Sequence, residues 1–98
     1  TLLRVFVPIW HDPLMTFNAN TYAHDLMRVC GGTNVFADHD QRYPRITLEE
    51  VTAAQPELIL LPSEPFSFSE AHLPIFASLD TPASKGGNIR LVDGTLLF

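Results

Sequence analysis

The sequence contains a single cysteine, Cys30, and no apolar run of the length that a membrane span requires. One thiol cannot close an internal disulfide, so cysteine usage leaves the redox compartment open. Basic residues are also few, since six Lys and Arg stand against eleven Asp and Glu for a net charge of -5. With no Lys/Arg run, the chain lacks the charge pattern of a nucleic-acid-binding surface. We therefore expect no nucleic-acid partner and no direct insertion into a membrane.

The sequence motifs of common enzyme classes are absent as well. Neither phosphate-binding pattern, G-x-x-x-x-G-K-[ST] or G-x-G-x-x-G, occurs, and there is no G-x-S-x-G nucleophile motif. An acid/base pair could be drawn from His11 with Asp12 or from His72 with Glu64, but no spacing requires it. We therefore predict that the protein is not an enzyme, and keep a metal-dependent hydrolase as an alternative.

Histidine and aspartate supply the ligand types that zinc and manganese accept. The four histidines show no H-x-x-x-H or H-E-x-x-H spacing, and the "DHD" segment at 38–40 is typical of a solvated loop. We therefore predict no resident metal and no cofactor. A direct zinc or manganese receptor stays open as a second alternative.

Three main strands are predicted. The β-branched and aromatic run "LLRVFVPI" at 2–9 is typical of a strand, and "ELILLP" at 57–62 presents the continuous apolar residues of a strand covered on both faces. "NIRLVDG" at 88–94 forms the third, and "NVF" at 34–36 indicates a brief fourth. The polar segment 80–88 is predicted to be a loop.

Helices are predicted between these strands. Apolar residues recur at helical spacing from about 20 to 30, and Gly31 can end that helix. In "TLEE", Thr47 and Glu50 form a capping box that begins a short helix, which stops near Gln55 because Pro56 follows. A third helix runs from about 71 to 79, with Pro74 in its first turn.

This alternation predicts a single α/β domain, a three-layer lobe with a mostly parallel central sheet and helices on both faces. Ligands of such sheets bind outside the carboxyl ends of the strands. Trp10 follows the first strand, and Glu64 and Phe66 follow the "ELILLP" strand. With the loop aromatic Tyr43, these are the predicted ligand-binding residues.

The motifs "VCGGTNVFAD" and "RYPRITLEEVTAAQPELILL" occur in an order that resembles the helical-backbone (class III) periplasmic substrate-binding proteins. These receptors feed vitamin B12, haem and ferric siderophores to ABC importers, and the vitamin B12 (cobalamin) receptors are the most similar among them. The resemblance covers nearly the whole chain. It implies that residues 1–98 are a fragment, the single C-terminal lobe of a two-lobe protein, with the ligand held between the lobes.

The resemblance also assigns roles to residues. Glu49 occupies the position of the glutamate with which these receptors dock onto the membrane permease, and Trp10 and Tyr43 lie where the cleft opens. It implies capture and delivery of a metal chelate, such as a corrinoid, haem or a ferric siderophore, by a periplasmic or lipid-anchored receptor. An isolated lobe would also expose apolar surface, from which we expect self-association.

Overall fold

A computed structural model describes residues 3–18, 31–64 and 66–93. Its centre is a four-stranded sheet of β1 (Leu3–Phe6), β2 (Gly32–Asn34), β3 (Leu58–Pro62) and β4 (Ile89–Val92). The strands lie in the order β2-β1-β3-β4, and every neighbouring pair is parallel. The predicted α/β class with a parallel sheet is thereby confirmed.

Three described helices join the strands. They are α1 (Leu48–Ala54), α2 (Leu73–Ala77), which continues a 3-10 turn at Glu70–His72, and α3 (Pro82–Lys85). The helix predicted at 71–79 therefore exists with Pro74 in its first turn. The prediction of a loop over 80–88 was wrong, because the Thr81 hydroxyl accepts the Ser84 N–H at 3.1 Å and caps α3.

The two faces of the sheet carry separate cores. Phe6, Ile59 and Leu61 lie on one face and pack with Val51, Phe76 and Ala83, the buried residues of the three helices. Val5, Val7 and Ile9 pack with Phe17 on the other face. The helix predicted at 20–30, including Cys30, lies outside the described residues. The described helices therefore pack on one face, and the predicted helix layer on the second face stays a prediction.

Two strands differ from their predicted bounds. The first ends at Phe6 instead of continuing to residue 9, since Pro8 offers no N–H and the Thr16 hydroxyl donates to the Val7 carbonyl at 2.7 Å. The chain then leaves the sheet, and the Ile9 N–H donates to the Met15 carbonyl at 2.8 Å. β2 begins two residues before the predicted "NVF". The segment 14–18 therefore lies beside the residues that follow β1.

Candidate functional site

All four strands point their carboxyl ends to one edge of the sheet, so the segments that follow them gather there. Trp10 lies beyond β1, and Glu64 and Phe66 lie beyond β3. The Ser63 N–H donates to the Val92 carbonyl at 3.0 Å, which continues the β3–β4 pairing up to the residue before Glu64. Glu64 itself is exposed. The structure therefore places three of the four predicted ligand-binding residues at the expected edge.

Aromatic and imidazole rings pack together at this edge in a group that we call the ring cluster: Trp10, His11, Phe66, Phe68 and His72. Phe66 is its centre, with ring centroids 5.3 Å from Trp10, 5.9 Å from His11, 4.8 Å from Phe68 and 5.3 Å from His72. Every one of these contacts is edge-to-face, the geometry that the ring quadrupole favours. The cluster therefore fixes the orientation of rings from three segments of the chain.

Exposure divides the ring cluster into a base and an outer layer. Phe68 is buried and its ring lies 6.4 Å from that of Phe76 in the main core. Phe66 is half-buried, and Trp10, which packs edge-on against it, is 41% exposed. Trp10 therefore offers an indole surface to solvent on a base that is anchored to the core. Phe66 acts chiefly as its support.

The histidines of the ring cluster are adjacent, with ring centroids of His11 and His72 5.3 Å apart. Nδ1 of His72 accepts the Ser69 N–H at 3.0 Å, so in the neutral ring the proton lies on Nε2. Neither nitrogen of the neutral His72 ring then offers a free lone pair to a metal. Within residues 3–18, 31–64 and 66–93, no three His, Cys, Asp or Glu side chains are grouped as metal ligands. Nor do the described contacts pair His72 with Glu64, so the acid/base pair considered for these residues is not formed.

Tyr43 reaches the same edge through an antiparallel pairing that the sequence alone did not predict. Met15 forms isolated β-bridges to Trp10 on one side and to Arg45 on the other. The Thr16 N–H donates to the Pro44 carbonyl at 3.1 Å. The segment 14–18 therefore lies between the exit of β1 and the segment 42–46, and it brings the two predicted aromatics onto neighbouring segments.

Side chains alternate along 43–46. Pro44 and Ile46 are buried, whereas Tyr43 is 49% exposed and Arg45 is also exposed. This period of two is that of an extended segment with one face in the core and one in solvent. The same alternation is visible in the letters "YPRI", and it is the signal by which Arg45 could have been selected from the sequence.

Two buried amides hold these segments in place. Nδ2 of Asn34 donates to the Phe17 carbonyl at 2.6 Å, and its Oδ1 accepts the Phe36 N–H at 2.9 Å. Nδ2 of Asn18 donates to the His39 carbonyl at 2.9 Å. Because each amide joins segments that are distant in sequence, the position of the site depends on both.

The predicted docking residue lies on α1. The capping box is present, since Glu50 Oε1 accepts the Thr47 N–H at 3.0 Å and the Thr47 hydroxyl accepts the Glu50 N–H at 3.1 Å. Glu49 is exposed, and the described contacts include no ion pair or hydrogen bond of its carboxylate. The predicted capping box of Thr47 and Glu50 is confirmed, and Glu49 takes no part in it. None of the helices in the described ranges has the length and hydropathy of a membrane span.

Comparison with known proteins gives matches in both sequence and fold. No family model matches the chain. The vitamin B12-binding protein of Salmonella typhimurium (strain LT2) is 36% identical over 58 residues, which are 59% of this chain and 22% of that protein. The chain thus spans about a fifth of the curated relative that it matches.

Solved structures extend the similarity to nearly the whole chain. The periplasmic vitamin B12 binding protein BtuF of Vibrio cholerae superposes with a TM-score of 0.78 at 21% identity, over 99% of this chain and 37% of that one. The periplasmic heme-binding protein RhuT from Roseiflexus sp. RS-1 gives a TM-score of 0.76 at 25% identity, over 100% of this chain and 40% of that one. These neighbours are binding proteins. In sequence and in fold, the chain resembles the class III periplasmic substrate-binding proteins, and the resemblance predicted from its motifs is confirmed.

Proposed function

We propose that the chain is one lobe, the C-terminal one, of a two-lobe substrate-binding protein that delivers a metal chelate to an ABC importer. The observation that carries this is Trp10, 41% exposed and packed edge-on against Phe66 at the carboxyl edge of a parallel sheet. Ligands of parallel sheets bind at this edge, and pockets for flat apolar ligands are lined by aromatic side chains. The similarity to vitamin B12-binding and heme-binding proteins indicates the class of ligand.

The ligand would contact one face of this lobe and be enclosed by the other lobe. Trp10 and Tyr43 would supply the apolar surface, with Phe66 as support and Glu64 as a polar group at the rim. A ligand would cover the exposed ring surfaces of Trp10 and Tyr43. Covering them would favour binding by about 25 cal/mol for each Å² of apolar surface removed from water. The metal would arrive as part of the chelate. We propose no resident cofactor and no chemical step.

Docking to the permease would use Glu49. Its carboxylate is exposed and separate from the capping box, so pairing with an arginine would leave the start of α1 intact. We propose that the protein lies in the periplasm, either free or lipid-anchored, because the similar structures are those of periplasmic binding proteins.

The test is calorimetric titration of the intact two-lobe protein with cyanocobalamin, dicyano-cobinamide, haemin and zinc in turn. We expect saturable binding of at least one chelate, weakened about tenfold or more by Trp10→Ala or Tyr43→Ala, since truncating a buried aromatic anchor typically costs about 2 kcal/mol. Leu3→Ala is the control, because Leu3 is also exposed (42%) but lies at the amino end of β1. Binding of zinc alone would instead support a direct metal receptor, and binding of none would reject the proposed function.

A further inference from the structure

Arg45 lies in the same row of side chains as Trp10. The backbone hydrogen bonds on either side of Met15 and Arg45, Thr16 N–H to the Pro44 carbonyl at 3.1 Å and Ile46 N–H to the Leu14 carbonyl at 2.9 Å, make them a non-hydrogen-bonded antiparallel pair. In such pairs the Cα atoms are about 4.5 Å apart, and the side chains project from the same face.

Met15 also pairs with Trp10, so the three residues occupy successive antiparallel rungs. With strands about 4.8 Å apart, the row from Trp10 to Arg45 spans roughly 10 Å. Tyr43, two residues before Arg45 along an extended segment, lies on the same exposed face. An indole, a phenol and a guanidinium are thus exposed along one row, and the half-buried Met15 between them also packs against the core of Val5, Val7, Ile9 and Phe17.

The guanidinium is available to a ligand. Arg45 is exposed, and the ion pairs formed among the described residues, Arg4 with Glu57 and Lys85 with Asp80, do not include it. Arginine binds carboxylates with two parallel hydrogen bonds, and it does so more strongly beside an apolar surface that excludes water.

We propose that Arg45 selects ligands that carry a carboxylate at the edge of a flat apolar body. The body would lie over Trp10 and Tyr43, and the carboxylate would reach the guanidinium one rung beyond Met15. This inference rests on the proposed function and names the ligand chemistry within it. Arg45 would distinguish anionic chelates from neutral ones of the same shape.

The test compares haemin, which has two carboxylates, with haemin dimethyl ester, in which both are masked. Each is titrated into the intact two-lobe protein and followed by its visible absorption. We expect Arg45→Gln to weaken haemin binding about tenfold or more, the cost of losing a hydrogen bond to a charged group, and to leave ester binding unchanged. Arg45→Lys retains the charge without the planar fork and should restore part of the affinity.

The control is Arg90→Gln, which removes the same charge from β4, where Arg90 Nη1 donates to the Ile89 carbonyl at 3.2 Å. Three results would overturn the inference while leaving the proposed function in place. Arg45→Gln could weaken haemin and its dimethyl ester equally, it could leave haemin affinity unchanged, or Arg90→Gln could weaken haemin binding as much as Arg45→Gln does. Binding of cyanocobalamin by a wild-type protein that binds neither porphyrin would do the same. A wild-type protein that binds none of the three would overturn both.

Discussion

Thr47 and Glu50 satisfy each other's backbone N–H at the start of α1, at 3.0 and 3.1 Å, while Glu49, which precedes Glu50 in the sequence, is exposed to solvent. The two adjacent glutamates can therefore be changed separately, since only Glu50 belongs to the capping box. Removing the Glu50 carboxyl group should affect stability, and changing Glu49 should affect the proposed docking to the permease. The two residues give a matched pair of variants in which the same charge is removed one position apart.

Glu49→Gln should reduce uptake of the ligand by the assembled importer while leaving ligand binding unchanged, because the carboxylate would pair with the permease and not with the ligand. Transport into vesicles that contain the importer measures this. Glu50→Gln is the matched control, since glutamine can still accept the Thr47 N–H. Equal transport by the Glu49 variant and the wild type would remove Glu49 from the docking surface.

Thr47→Ala should lower the free energy of unfolding by about 1 kcal/mol, because it removes the acceptor for the Glu50 N–H. Urea denaturation measures the change. Thr47→Ser keeps a hydroxyl at the same position and should stay close to the wild type. A loss of similar size in Thr47→Ser would mean that the Thr47 methyl group, and not the cap, matters.

Asn34→Ala should destabilise the fold by about 1 to 3 kcal/mol, since it removes the buried amide that donates to the Phe17 carbonyl and accepts the Phe36 N–H. The change should also weaken ligand binding, because the segment 14–18 holds Trp10 and Arg45 in one row. Chemical denaturation and ligand titration of the same variant report the two effects. Loss of stability with full ligand affinity would show that the row does not depend on this amide.

Phe66→Ala should move the fluorescence of Trp10, the one tryptophan of the chain, toward that of a fully solvated indole, because its edge-on partner is removed. Such ring pairs contribute about 0.5–1.5 kcal/mol beyond the buried area. Phe66→Leu retains apolar bulk and should shift the emission less. An unchanged spectrum in Phe66→Ala would show that Trp10 is held by other contacts.

The isolated lobe should bind the chelate far more weakly than the intact two-lobe protein, because the proposed cleft needs both lobes. Parallel titrations of the two proteins test this, with the ligand that the intact protein binds best. Equal affinities would mean that Trp10, Tyr43 and Arg45 form a sufficient site on this lobe alone.

The sequence by itself determined the features that depend on neighbouring residues. The capping box at Thr47, the end of α1 at Gln55 before Pro56 and the strand at Leu58–Pro62 follow from short-range sterics, hydrogen bonding and apolar runs, and the structure has them all. The placement of Trp10, Glu64 and Phe66 at one edge followed in turn from the rule that parallel strands share their carboxyl edge.

Only the tertiary structure decided which residues meet across long separations. The pairing of 14–18 with 42–46 depends on buried amides and on backbone groups that leave the sheet after Phe6, and no local pattern specifies such partners. The same holds for Phe66, whose position beneath Trp10 results from packing between loops that follow different strands. Local chemistry thus predicted the elements and the edge of the site, while long-range packing and hydrogen bonding set Trp10, Met15 and Arg45 in one row.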